Sequence, residues 1–196
     1  MDNQNTTNNN IYVLPDIVNR SLKNRGHKRI PPWVFTSYPN LRKLDLSHNR
    51  LTDIPEDIGR LKHLRVLDLS YNNLTSIPDV LFTLPSLRTL GIGHNQITSL
   101  SLNIGASALK DLIADHNNID FILPSTFTGL RKLILSYNRL NVGIVRTVLP
   151  NLHHLDIRHN PSIQFASPDC LPSIHRYYHD TDVFGALVPD GMQWLK

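Results

Sequence analysis

The segments LRKLDLSHNRL (residues 41–51) and LRVLDLSYNNL (residues 64–74) place leucine and asparagine in the same pattern. Further segments with this pattern begin at Leu87, Leu109, Leu130 and Leu152. The six starts are 21 to 23 residues apart (41, 64, 87, 109, 130, 152). A pattern that recurs at a nearly constant period predicts a solenoid, in which each period forms one turn and neighbouring turns share a core.

The alternation of leucine with other residues predicts a short strand in each turn. Leucines at alternate positions point to one face of a strand, and the residues between them point to the other. Because such a strand is too short to be stable alone, we expect successive strands to pair in a parallel sheet. An asparagine follows each strand, where its amide can satisfy buried backbone groups of its own and neighbouring turns. These asparagines are Asn49, Asn72, Asn95, Asn117, Asn138 and Asn160.

The segments that return the chain to the next strand contain Ile-Pro followed by apolar residues, as in residues 52–63 and 75–86. Since proline discourages both a regular helix and a strand, these segments predict short 3₁₀ or extended pieces. The predicted fold class is therefore an α/β repeat solenoid. It is a right-handed superhelix with a parallel concave β-sheet and short 3₁₀ or extended convex segments.

The ends of the chain deviate from the pattern, as terminal repeats do when they cover a core. Residues 1–12 are rich in asparagine and are predicted to be disordered, and residues 13–40 to form an N-terminal cap with a degenerate first repeat. In that repeat Leu22 takes the place of Leu46. The six repeats occupy residues 41–163. A C-terminal cap is expected over residues 164–196, with Arg176 at an inward position of a further strand.

From about residue 20 to about residue 180 the chain resembles intracellular leucine-rich-repeat proteins. The phrase L-T-x-I-P-x-x-I-x-x-L is similar to the repeats of the Ras-suppressor group. This resemblance implies a curved scaffold that binds signalling proteins on its concave sheet. The single cysteine, Cys170, excludes an intramolecular disulfide, and the first ten residues contain no secretory signal. We therefore expect a cytoplasmic or nuclear location.

One set of variable positions on the concave face is basic. Aligning the repeats places these residues in a single column at the start of the strands: Arg42, Arg65, Arg88, Lys110 and Arg131. We call this column the basic ridge. It is interpreted either as a solvated rim whose long side chains cover the leucines, or as a ridge that attracts an acidic partner.

A second set of variable positions predicts a partner-binding surface. Gly91 and Gly93 are expected to leave a shallow dip, beside two isoleucines that the core does not need. Every position before a repeat asparagine holds tyrosine or histidine. Aromatic and aliphatic anchors at the centre of an interface, with charges at its rim, are typical of binding hot spots. The predicted partner-binding residues are Tyr71, His94, Ile113, His116, Ile134 and Tyr137.

The sequence favours neither catalysis nor a cofactor. It lacks a phosphate-binding loop, a nucleophile elbow and a metal-binding H-E-x-x-H pattern. His94 and His116 fall on adjacent turns, but a flat column supplies two metal ligands at best, and Asp115 belongs to a different column. We accordingly predict no catalytic residue, no metal site and no cofactor.

The leading hypothesis is a non-catalytic scaffold or regulatory subunit that binds another protein on the concave face. We expect the chain to be monomeric by itself and to have no membrane span. The alternative is binding of a polyanion, either nucleic acid or acidic lipid, through the basic ridge and the N-terminal end. Residues 17–44 contain basic but no acidic residues. Nucleic acid is the less favoured partner, because no motif for its recognition is present.

Overall fold

The computed structural model describes residues 13–100, 108–122, 129–140, 151–160, 176–178 and 193–194. The predicted disordered tail and most of the predicted C-terminal cap lie outside these residues. Among the helices in the described part of the chain, none is long and apolar enough to cross a membrane.

The described strands form two parallel sheets, and each repeat contributes one strand to the larger sheet, as predicted. The larger sheet contains nine strands. A second, two-stranded sheet pairs β5 (Ser99–Leu100) with β7 (Phe121–Ile122). In their order across the larger sheet, the strands are β1 Asn19–Ser21, β2 Lys43–Asp45, β3 Val66–Asp68, β4 Thr89–Gly91, β6 Asp111–Ile113, β8 Lys132–Ile134, β9 His154–Asp156, β10 Arg176–Tyr178 and β11 Gln193–Trp194.

The core lies on one face of the larger sheet and consists mainly of the repeated leucines. Leu44, Leu67 and Leu90 are aligned across neighbouring strands, and each is fully buried. The same register continues through the later repeats, so one column of leucines crosses the sheet. Each turn therefore buries its apolar residues against the next turn, which is the main stabilisation available to a repeat array.

The buried asparagines connect each turn to its neighbours, as the sequence predicts. Asn72 donates from Nδ2 to the carbonyl oxygens of Leu46 (3.1 Å) and Leu69 (2.9 Å), and its Oδ1 accepts from the Leu51 N–H (3.0 Å). Asparagines in the other five repeats make equivalent bonds. Their amides satisfy backbone groups that would otherwise be buried without a partner.

The return segments are short, as Ile-Pro predicts. Residues Glu56–Arg60 and Asp79–Thr83 form 3₁₀ helices that begin directly after a proline in extended conformation. In the first turn the corresponding segment is a five-residue α-helix, α1 (Trp33–Ser37). The return segment after β4 includes β5, and the return segment after β6 includes β7. The convex side therefore combines short helical and extended pieces.

Strand pairing near both ends of the larger sheet can be compared with the repeat alignment made from the sequence. Ser21 pairs with Asp45, so Leu22 takes the register of Leu46 and is buried, as expected. The expectation for Arg176 was wrong, because Arg176 pairs with His154 and Tyr177 pairs with Leu155. The repeat pattern therefore begins three residues later than we inferred, and Tyr177 takes the register position of a core leucine.

Candidate functional site

The residue before each repeat asparagine has a left-handed backbone. These residues have φ between 51° and 57°. This conformation turns the chain away from the strand so that the next residue, the asparagine, enters the core. It is unfavourable for most side chains other than glycine and asparagine. The residues are His48, Tyr71, His94, His116, Tyr137 and His159.

The side chains of these six residues form one continuous stack, which we call the ring ladder. Neighbouring ring centroids are 3.9 to 4.2 Å apart. The angles between neighbouring planes rise from 9° at the His48–Tyr71 pair to 24° at the Tyr137–His159 pair. Strands in a sheet are about 4.8 Å apart, so a planar side chain on every strand can contact the next one face to face. Stacked pairs of this kind contribute about 0.5–1.5 kcal/mol each beyond their burial.

The two tyrosines of the ring ladder remain accessible. Tyr71 is 45% exposed and Tyr137 is 47% exposed, which makes them large apolar side chains on the open surface. Ile113 and Ile134 are nearby on adjacent strands, where they pair directly with each other in the sheet. Both are half-buried, and neither is part of the buried core. The predicted partner-binding residues thus lie on one face of the molecule.

The expected dip at Gly91 and Gly93 is absent, because neighbouring side chains fill it. A Cβ atom at position 91 would lie 3.1 Å from Asp68 Oδ1 and 3.2 Å from Ser70 Oγ. A Cβ atom at position 93 would lie 2.6 Å from Asp115 Oδ1. The space left by each glycine is therefore occupied by a carboxylate from an adjacent strand.

The structure brings Asp115 between His94 and His116, contrary to the argument that its column would keep it apart. Asp115 Oδ2 lies 2.9 Å from His116 Nδ1 and 3.7 Å from His94 Nε2. The two imidazole rings are also stacked on each other, with centroids 4.0 Å apart. Partial burial lowers the pKa of His94 below its ordinary value, and repulsion from His116 and His48 adds to this effect against the attraction of Asp115. The lowered pKa favours the neutral form of His94, whose ring stacks on its neighbours without placing a charge in the ladder.

The basic ridge lies at the opposite end of the strands from the ring ladder. Arg42, Arg65 and Arg131 are exposed. The other two members bind backbone of the following turn: Arg88 donates to the Ala108 carbonyl (2.8 Å) and Lys110 to the Gly129 carbonyl (3.1 Å). Part of the ridge is thus a structural rim, and part is a free positive surface.

Charged residues flank the apolar centre along the sheet. Near the start, burial of Asp45 alone would raise its pKa, but hydrogen bonds from the Ser47 side chain (2.7 Å) and backbone N–H (3.0 Å) more than offset this, and the pKa is lowered. Near the end, Arg158 makes a two-point ion pair with Asp156, at 2.8 and 3.0 Å. The face therefore has charged groups toward both ends, and its middle carries the rings, the isoleucine pair and the carboxylate of Asp115.

The leucine-rich-repeat family model matches residues 21–74 and 39–97. The matched residues include the first three of the six repeat segments, which begin at Leu41, Leu64 and Leu87. The chain has the leucine-rich-repeat fold. No curated protein sequence matches it significantly.

Solved structures of leucine-rich-repeat proteins resemble the chain over most of its length. One is a protein of Leptospira interrogans, with 27% identity, a TM-score of 0.66 and coverage of 78% of this chain and 41% of that chain. Another is the leucine-rich-repeat domain of APL1, with 26% identity, a TM-score of 0.64 and coverage of 78% and 40%. The corresponding domain of APL1B has 23% identity, a TM-score of 0.60 and coverage of 80% of this chain and 49% of that chain. At this identity the likeness shows the fold alone.

The chain thus spans about two fifths of the length of the first two of these proteins. Leucine-rich-repeat domains are generally protein-interaction modules and are typically not enzymes. The apolar residues of the strands and the asparagines recur in every repeat, whereas the ring ladder and the isoleucine pair occupy positions whose residue changes between repeats. Any specificity for a partner therefore resides in those variable positions.

Two features of the leucine-rich-repeat surface were missed from the sequence. The ring ladder was identified as a column of tyrosine and histidine, but not as a continuous stack with left-handed backbones. Six planar side chains at one repeat position were the available signal for stacking. The contact of Asp115 with both histidines depends on Gly93, and the signal was that glycine and aspartate replace serine in the same column.

Proposed function

We propose that the chain is a non-catalytic interaction module that binds a partner protein on the open face of its leucine-rich-repeat sheet. The binding surface is centred on Tyr71, Ile113, Ile134 and Tyr137, with His94 and His116 between the tyrosines. The observation that carries this proposal is the ring ladder beside the half-buried isoleucine pair.

The arrangement suits protein binding because the tyrosine side chains expected to contact the partner are already ordered. Binding normally costs conformational entropy when flexible side chains become fixed at the interface. Each inner ring of the ladder is stacked on both sides, so little rotational freedom remains for Tyr71 and Tyr137 to lose. Rigid aromatic side chains with exposed edges are typical energetic centres of an interface.

The charged groups around this centre suit the rim of an interface. Asp45 lies toward the start of the sheet, while Asp156 and Arg158 lie toward the end. Exposed members of the basic ridge, Arg42 and Arg65, add positive potential along one side. Rim charges of this kind orient an approaching partner and contribute to association rate more than to affinity. The partner is accordingly expected to carry an apolar centre with acidic groups on one side.

The cellular setting forms part of the same proposal. We propose an intracellular scaffold or regulatory subunit, cytoplasmic or nuclear, that is monomeric without its partner and takes part in signalling. The resemblance of its repeats to the Ras-suppressor group supports this setting. Localisation of the tagged full-length protein in its native cell, together with sedimentation of the purified protein, would test both points.

A photo-crosslinking experiment tests which face binds. A benzophenone amino acid is placed at Tyr71 or Tyr137 on the open face, or at Lys62, which is exposed in a return segment. The proposal expects one protein to crosslink from both open-face positions and not from position 62. Purified partner should then compete with the crosslink. Equal crosslinking from position 62 would contradict the proposed face.

The second candidate is binding of a polyanion, and the exposed members of the basic ridge favour it. Contacts with phosphates release counterions, so the affinity should fall steeply as salt rises. An interface centred on rings and isoleucines should change little under the same conditions. Titration with a nucleic acid duplex and with anionic vesicles, each at two salt concentrations, distinguishes the two functions and the two sources of phosphate.

A further inference from the structure

We propose that His94, Asp115 and His116 form a binding site for a divalent transition metal, with Zn²⁺ as the ion that fits best. The candidate ligand atoms are His94 Nε2, Asp115 Oδ2 and His116 Nδ1. One potential ligand atom from each of the three residues lies within 4.8 Å of the other two. Two imidazole nitrogens and a carboxylate oxygen are a usual protein ligand set for zinc with an open coordination position.

The distances are close to those that a bound ion requires. Tetrahedral Zn²⁺ with bonds of about 2.0–2.1 Å keeps its ligand atoms about 3.3 Å apart. Asp115 Oδ2 is 2.9 Å from one nitrogen and 3.7 Å from the other, so its two separations bracket this value. A ring nitrogen of His94 and one of His116 lie within 4.8 Å of each other. They must therefore close by at most about 1.5 Å to share one tetrahedral ion.

The local sequence departs from the repeat in a way that builds this site. In Asp115's column the other repeats hold Ser47, Ser70, Gly93, Ser136 and Arg158. Aspartate therefore occurs in this column once, and glycine once, on the adjacent strand. A side chain at position 93 would meet Asp115 Oδ1 at 2.6 Å, so glycine is what allows the carboxylate to lie across the preceding strand toward His94.

The ring ladder contains one pair of histidines that are direct neighbours, His94 and His116, and they follow the same two strands, β4 and β6. Elsewhere each histidine stacks on a tyrosine, as at the His48–Tyr71 and Tyr137–His159 pairs. The aspartate, the glycine that makes room for it and the histidine pair thus coincide at one place in the array. A hydrogen bond between Asp115 and His116 alone would require neither Gly93 nor His94.

Binding requires one of the two histidine rings to leave its stacked position, which the open surface permits. An imidazole coordinates a metal in the plane of its ring, whereas the two rings are stacked with an interplanar angle of 14°. One ring must therefore rotate away from the other so that both nitrogens point at the ion. The His94 and His116 side chains are 33% and 40% exposed, so this rotation moves them into solvent and not into the core. Water from the open face then supplies the fourth ligand.

The test uses untagged full-length protein, titrated with Zn²⁺ against a chromophoric chelator, with no partner present. We expect one Zn²⁺ per chain, and a loss of affinity of at least about tenfold in Asp115→Ser and His116→Tyr. Both substitutions introduce the residue that other repeats carry at that position, which preserves the fold and, for tyrosine, the stack. Co²⁺ should give the intense visible bands of tetrahedral coordination in the wild type and lose them in both variants.

His48→Tyr is the matched control, since it makes the same replacement in the same column away from Asp115. It should leave Zn²⁺ affinity unchanged. The proposal is overturned if the wild type binds no more tightly than Asp115→Ser and His116→Tyr, or if His48→Tyr loses as much affinity as His116→Tyr. Either result would mean that zinc associates with surface histidines in general. Because no partner takes part, failure of this proposal would leave the proposed function standing.

Discussion

A single buried asparagine side chain in this fold serves two turns of the solenoid at once. Asn95 donates to the carbonyls of Ile92 (3.0 Å) in its own turn and Leu69 (3.1 Å) in the preceding turn. Its Oδ1 accepts from the N–H of Leu74 at 3.0 Å. All of these groups are buried, so a group that loses its hydrogen-bond partner cannot bond to bulk water instead.

Replacing Asn95 or Asn117 with alanine should therefore lower the free energy of unfolding by about 1–3 kcal/mol. The loss arises from the backbone groups left without a partner and not from the side chain's own hydrophobicity. Urea unfolding of the two variants against the wild type measures it. Gln96→Ala is the control, because Gln96 is exposed next to Asn95 and should change stability little. An equal loss in all three variants would show that the asparagines do not have this role.

At the scale of the element, the ring ladder combines a backbone constraint with a side-chain one. Every member has a left-handed backbone, and every inner ring contacts two others. Protonation of His94 would place a charge in this stack between Tyr71 and His116, with Asp115 and His48 as the other titratable groups near it. Protonation of His94 therefore links the stability of the ring ladder to pH.

The lowered pKa of His94 determines the direction of this response. Its pKa is below the ordinary value of 6.5 in the folded protein, so the unfolded chain binds the proton more readily. The contribution of His94 to stability is complete above about pH 6.5 and is lost as the pH falls through the folded pKa. Wild-type protein should thus lose more stability between about pH 7.5 and 5.5 than His94→Tyr, whose ring stacks but does not titrate there. Urea midpoints at the two pH values measure the difference, and parallel losses would contradict it.

The strands and the asparagine contacts could be predicted from the sequence, because both follow from a repeated local pattern. Leu22 was placed correctly for the same reason, since the Ile30-Pro31 alignment set its register. The prediction of a dip at Gly91 and Gly93 was wrong, because the space beside each glycine is filled by the carboxylate of Asp68 or Asp115 from a neighbouring strand. Contacts that cross strands depend on side-chain direction, which the pattern of one strand does not contain. The stack and the Asp115 contacts were missed for this reason.

At the scale of the whole molecule, the open face separates two kinds of surface. The basic ridge is at one end of the strands, and the ring ladder with the isoleucine pair is toward the other. Charges that remain solvated attract a partner over a distance, whereas apolar anchors stabilise the complex after contact. The two surfaces should therefore control different rate constants of the same binding event.

Substitution of Arg42 and Arg65 by alanine should slow association and weaken its salt dependence, with little change in dissociation. Both side chains are exposed, so the protein should remain folded. Stopped-flow or surface-based kinetics with the crosslinked partner, at low and high salt, separates the two rates. A large increase in the dissociation rate would show that the ridge is part of the buried interface and not its rim.

The most direct test of the account is calorimetric titration of that partner into four single alanine variants of the proposed centre: Tyr71→Ala, Ile113→Ala, Ile134→Ala and Tyr137→Ala. Each should weaken binding by about 1–3 kcal/mol while the protein stays folded, and Lys62→Ala should bind like the wild type. The account is contradicted if these four variants bind normally and removal of Arg42 and Arg65 abolishes affinity. In that case the basic ridge, and not the ring ladder with its isoleucine pair, would be the binding site.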